Sequence, residues 1–130
     1  MTGGRRKLDI DSFHALLEEL SEEVPDELFK GLNGGIITLP EPKKGLHPEG
    51  RPPLYIMGEY RVQIPGMGRY IVIYYGSFMK VYGQGVSQAS LRRELSKTLR
   101  HEFRHHIESL AGEKDLEIED RIKILRYLYP

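Results

Sequence analysis

At 130 residues the chain can bury one hydrophobic core and not comfortably two, so a single domain over residues 1–130 is expected. Nineteen Lys and Arg balance nineteen Asp and Glu, which removes bulk charge as a reason to expect nucleic acid or an anionic membrane as partner. Cysteine is absent, which excludes disulfides and thiolate ligands, so any metal must be held by imidazole and carboxylate.

The basic GGRRK at the start reads as a solvated terminus. The LDIDSFHALLEEL that follows carries acids too often for a signal peptide, and no stretch approaches the roughly 20 apolar residues of a membrane span. A soluble, cytoplasmic protein is the expectation. Phe13, Leu16, Leu17 and Leu20 recur at helical spacing behind Asp9 and Asp11, either of which can cap, so residues 10–23 are expected to form an amphipathic helix ended by Pro25. PDELFKGLNGG follows as a short helix, with proline in its first turn and glycines closing it.

IITL, residues 36–39, is a short strand candidate, and the proline- and glycine-dense 40–53 marks a surface loop. LYIMGEYRVQI and GRYIVIYYGSFMKVY are rich in β-branched and aromatic residues and are divided by PGMG, the pattern of an antiparallel pair, with a bend or break allowed at Gly76. Ser87 can cap a helix running to about Leu110, and beyond Gly112 a last helix is expected over about 115–129. Helices, a few strands, then helices again give an α+β domain with a small, mainly antiparallel sheet.

Leu91, Leu95, Leu99, Phe103, Ile107 and Leu110 form one apolar stripe on the long helix, which must face the core. His101 and His105 lie about 40° apart on the same wheel, off the stripe and one turn apart, so both can reach one ion. With Glu102 between them this is an HExxH arrangement. The two imidazoles can take two corners of a zinc tetrahedron, while the glutamate is offset to reach a water on the metal without ligating. Zinc acidifies that water, and the carboxylate accepts its proton and hands it to the leaving amine. The competing reading is a charged helix that carries histidines by chance. Placement of the motif off an apolar stripe favours the metal.

His106 falls within the stripe, so it reads as a core histidine hydrogen-bonded through a ring nitrogen rather than a third ligand. His14 and His47 read as surface residues. Arg92, Arg93, Lys97, Arg100 and Arg104 are interrupted by Glu94 and read as a solvated face with ion pairs, not a nucleic-acid surface. A third metal ligand must be a carboxylate from Glu108, Glu113, Asp115, Glu117, Glu119 or Asp120. Glu108 lies about 60° round the wheel from His105 and two turns, about 10 Å, along the helix from His101, which is awkward for one shared ion. The chain can turn back at Gly112, and Asp115 then follows at the start of the last helix, with Asp120 as runner-up.

HEFRHH followed by GEKD resembles the site pattern HExxHHxGxxD of the small prokaryotic zincin-like metallopeptidases, or minimal metalloproteases. His101, Glu102, His105 and His106 match directly. Gly112 and Asp115 match the GxxD with IESLA standing where the pattern has a single residue. The resemblance implies a stripped-down zincin fold, an HExxH helix followed by a C-terminal helix, Zn2+ as cofactor, Asp115 as third ligand, and peptidase activity on a peptide or protein. An extended substrate would lie along an exposed strand edge, with YIVIYY or SFMKVY as candidates. The alternative is a non-catalytic, zinc-containing module that binds peptides or proteins. Glu102 separates the two, because a purely structural site needs no carboxylate there and closes its fourth position with a further protein ligand.

Overall fold

The computed structural model describes residues 8–45, 54–63, 68–83, 85–111 and 122–127. Helix α1, Ile10–Glu22, starts where Asp9 accepts from the Ser12 amide at 2.8 Å, which selects Asp9 over Asp11 as the cap. It buries Phe13, Leu17 and Leu20. Pro25 stands at the N-terminal boundary of α2, Asp26–Phe29, and Gly31 and Gly35 take positive φ as the chain turns into strand β1, Gly35–Leu39.

Strands β2, Gly58–Gln63, and β3, Gly68–Tyr74, pair antiparallel as the sequence pattern required. The sheet as a whole is not mainly antiparallel. Its order is β1-β3-β2, and β1 pairs with β3 in parallel, because the chain crosses from β1 to the far edge before β3 returns between the two. YIVIYY therefore falls largely on a central strand with both sides paired, and SFMKVY lies in helix α3, Tyr75–Tyr82. Neither can offer a strand edge to a peptide.

The strand breaks at Tyr75, one residue before Gly76, where a Cβ would stand 2.3 Å from the Pro42 nitrogen. Helix α4, Gln88–Leu110, is capped by Ser87 and buries the whole expected stripe. Residues 122–127 are helical, within the span expected for the last helix. Helices and a three-stranded sheet make this an α+β chain.

Strand alternation divides the interior. Ile71 and Ile73 join Phe13, Leu17, Leu95, Leu99 and Phe103 on the helical side, while Tyr70, Val72 and Tyr74 pack with Ile37, Leu39 and Ile56 on the other. Phe103 is fully buried, and each such side chain contributes about 1.5–3 kcal/mol relative to exposure. Among the described residues no helix is long and apolar enough to cross a membrane.

Candidate metal centre

Because His101 and His105 stand off the buried stripe, both rings reach solvent, and the helix sets them one turn apart. Their rings meet edge-on with centroids 4.5 Å apart, and the two Nε2 atoms are 3.0 Å from each other. Two nitrogen corners of a zinc tetrahedron stand about 3.3 Å apart, so little adjustment separates this pair from bidentate ligation. Partial burial, followed by the neighbouring His105 and Arg104, lowers the pKa of His101, which favours the neutral, ligating ring. Glu108 Oε1 lies 3.7 Å from His105 Nδ1, behind the ring rather than on the side facing His101.

Glu102 is 4% exposed, and among the described residues no hydrogen-bond donor reaches its carboxylate. Burial, and then the negative charge of Glu59, push it up to about 7. For Glu59 burial also acts upward. Hydrogen bonds from Lys43 at 2.7 Å, Tyr74 at 2.6 Å and Arg61 at 2.8 Å outweigh it and hold the carboxyl down to about 2. Two carboxyls beside one cleft are thus driven apart, one poised near neutrality and one fixed as an anion. The sequence reading missed Glu59. It also placed Glu102 only by its role, although a wheel angle about 60° from Leu99 already puts that residue at the margin of the stripe.

The cleft encloses about 670 Å³ between β2 and α4. Gly58, Glu59, Tyr60 and Val62 line one wall, and His101, Glu102, His105, Glu108 and Ser109 the other. Glycine at 58 permits the approach, since a Cβ would stand 2.9 Å from Thr98 Cγ2 and 3.1 Å from the Val72 carbonyl oxygen. The strand edge beside the histidines is therefore that of β2.

His106 is fully buried, and both its ring nitrogens have partners. In the neutral ring Nε2–H donates to the Lys30 carbonyl at 2.7 Å, leaving Nδ1 to accept from the Tyr60 hydroxyl at 2.9 Å. Arg69 donates to Tyr60 at 3.1 Å and also to Ser109. This chain of bonds ties β2 and β3 to α4 one residue from His105, and it leaves His106 in the core role expected from its wheel position.

His101, Glu102 and His105 are thus brought together. Asp115 falls outside the described residues, as do Glu113, Glu117, Glu119, Asp120 and His47. Helix α4 continues to Leu110 without a turn after His105. Among the described residues no group of three or more His, Asp or Glu is placed to hold a metal. Two convergent imidazole nitrogens and a buried carboxylate without a donor nevertheless fit the donor preference of a divalent cation such as zinc, for which the histidines could supply two of the three protein ligands usual at a catalytic site.

An α+β chain with an HExxH helix laid against an edge strand is the class that fold and site define. No protein-family model matches the sequence, and a search of curated proteins gives no match. Among solved structures, the chain is similar to a conserved hypothetical protein from T. thermophilus, with 38% identity over 82% of this chain and 100% of that one, at a TM-score of 0.66. The chain belongs to the same family as that protein.

Proposed function

We propose that the protein is a zinc-dependent metallopeptidase of minimal zincin type. The observation that carries the reading is the convergence of the His101 and His105 Nε2 atoms, 3.0 Å apart, in the cleft that also holds the buried Glu102 carboxylate. His101 and His105 would hold the metal, with Asp115 as the third ligand. Bound there, zinc supplies a Lewis acid that polarises the peptide carbonyl and an acidified water as nucleophile.

The protein's own residues do the rest. Glu102 takes the proton of the attacking water on its carboxylate and returns it to the leaving amine. A group titrating near 7 suits both halves of that task. β2, the edge strand lining the cleft, offers backbone groups to an extended substrate.

The test is cleavage of an unbiased peptide library, read by mass spectrometry, with zinc-loaded wild type and Glu102→Gln. The amide preserves size but cannot accept the proton, so the variant should keep its zinc and cut nothing. Identical cleavage maps would sink the reading. A zinc-loaded, folded wild type that cuts nothing would favour the non-catalytic, zinc-containing binding module.

A further inference from the structure

The opposite edge of the sheet carries a second concavity with no part in the histidine cleft. Among the described residues β1 pairs only with β3, and its outer edge carries no further strand. Beside it a groove of about 500 Å³ runs along α1 and α2, with Leu17, Phe29 and Ile36 as apolar floor and Glu18, Glu22 and Asp26 as rim. His14 fixes this wall, with Nδ1 2.9 Å from the Thr38 hydroxyl of β1 and Nε2 3.5 Å from Glu18.

The residues that line the groove include Glu18, Glu22 and Asp26 and no Lys or Arg. Residues 8–29 hold eight Asp and Glu and no Lys or Arg. On the side facing α4 these acids are matched, Glu19 and Glu23 pairing with Arg92 at 2.9 and 2.5 Å. On the groove side, no cation among the described residues pairs with Glu22 or Asp26, and both are exposed.

We propose that this groove docks an extended, arginine- or lysine-bearing segment of another protein, added as a fourth strand on the outer edge of β1. Such a segment presents alternate side chains at a repeat of about 6.7 Å, close to the rise of about 6 Å between Glu18 and Glu22 one turn apart on α1. The long basic stems would lie over Leu17, Phe29 and Ile36 while their charged heads reach the rim carboxylates. Backbone pairing with β1 supplies affinity, and the carboxylates select for cationic partners. A neutral or acidic strand would leave the rim charges facing apolar or like-charged groups.

The test is a titration of the 15N-labelled full chain, in chelator and low salt, with a seven-residue peptide of alternating arginine and threonine. Amide shifts should move over residues 14–26 and 35–39 and stay still over 101–109. The Glu22→Gln/Asp26→Asn double variant, with unchanged circular dichroism, should bind about tenfold more weakly. A glutamate–threonine peptide of the same length should not bind. Shifts confined to the helices with none over 35–39 would overturn strand addition. No binding at millimolar peptide, equal binding by the double variant, or equal binding of the acidic peptide would overturn the docking site itself. Because the titration is run without metal, none of these results bears on the proposed peptidase.

Discussion

Glu102→Gln is expected to stabilise the metal-free protein at pH 8, although it removes the residue proposed to do the chemistry. The Glu102 carboxyl titrates at about 7 in the folded chain against 4.5 ordinarily. As pH rises from 4.5 to 7 the unfolded chain therefore releases this proton while the folded chain keeps it, so stability falls across that window. The penalty is complete above 7 and amounts to about 3 kcal/mol. The amide never ionises and keeps the shape of the protonated side chain.

For a domain of this size the difference corresponds to a rise in Tm of about 10 °C. Calorimetry of both proteins in chelator, from pH 4.5 to 8.5, should show their Tm values drawing together at the acid end and separating to a plateau near pH 8. A gap that does not change with pH, or a wild type more stable than the variant at pH 8, would refute the picture of a buried carboxyl without a donor.

Four further outcomes are expected. His101→Ala or His105→Ala should abolish zinc binding in a competition titration against a chelator, whereas His106→Ala should keep the stoichiometry while losing about 2–4 kcal/mol of stability with its two buried hydrogen bonds. Asp115→Ala should weaken zinc affinity far more than Asp120→Ala in the same titration; the reverse order would reassign the third ligand and leave the histidine pair standing. Tyr60→Phe should cost about 1–2 kcal/mol in urea denaturation, because His106 Nδ1 loses its donor in the core. Glu59, depressed to about 2, contributes stability that is present above its ordinary 4.5 and lost as pH falls from there towards 2, so Glu59→Gln should be less stable at pH 7 and show a flatter acid limb.

Helix α4 was legible in the sequence because a helical wheel needs no partner to be drawn: its stripe, histidine pair and core-facing His106 follow from 100° per residue, and its cap from the serine ahead of the first turn. The hairpin of β2 and β3 was legible for the same reason, its strands being neighbours in sequence. What failed was non-local. Nothing in IITL says that it pairs in parallel with a strand thirty-odd residues on, and without that pairing YIVIYY looks like an edge. SFMKVY reads as strand on its aromatic and β-branched content, yet Tyr75, Phe78, Met79 and Tyr82 already stand at helical spacing. Glu59 was invisible because its partners Lys43, Arg61 and Tyr74 are gathered by the sheet and its flanking loop.

The histidine pair and the carboxylate beside it also depend on different amounts of the molecule. One turn of α4 is enough to bring His101 and His105 side by side, so any helical form of that segment presents them, docked or not. The poise of Glu102 exists only when β2 and the core have closed over it, since burial is the larger cause of its displacement. During folding, or in a locally opened state, the nitrogen pair is thus ready before the acid–base group is tuned. On the proposed reading, the first two metal ligands would belong to a piece of secondary structure, whereas competence for proton transfer would be a property of the assembled tertiary fold.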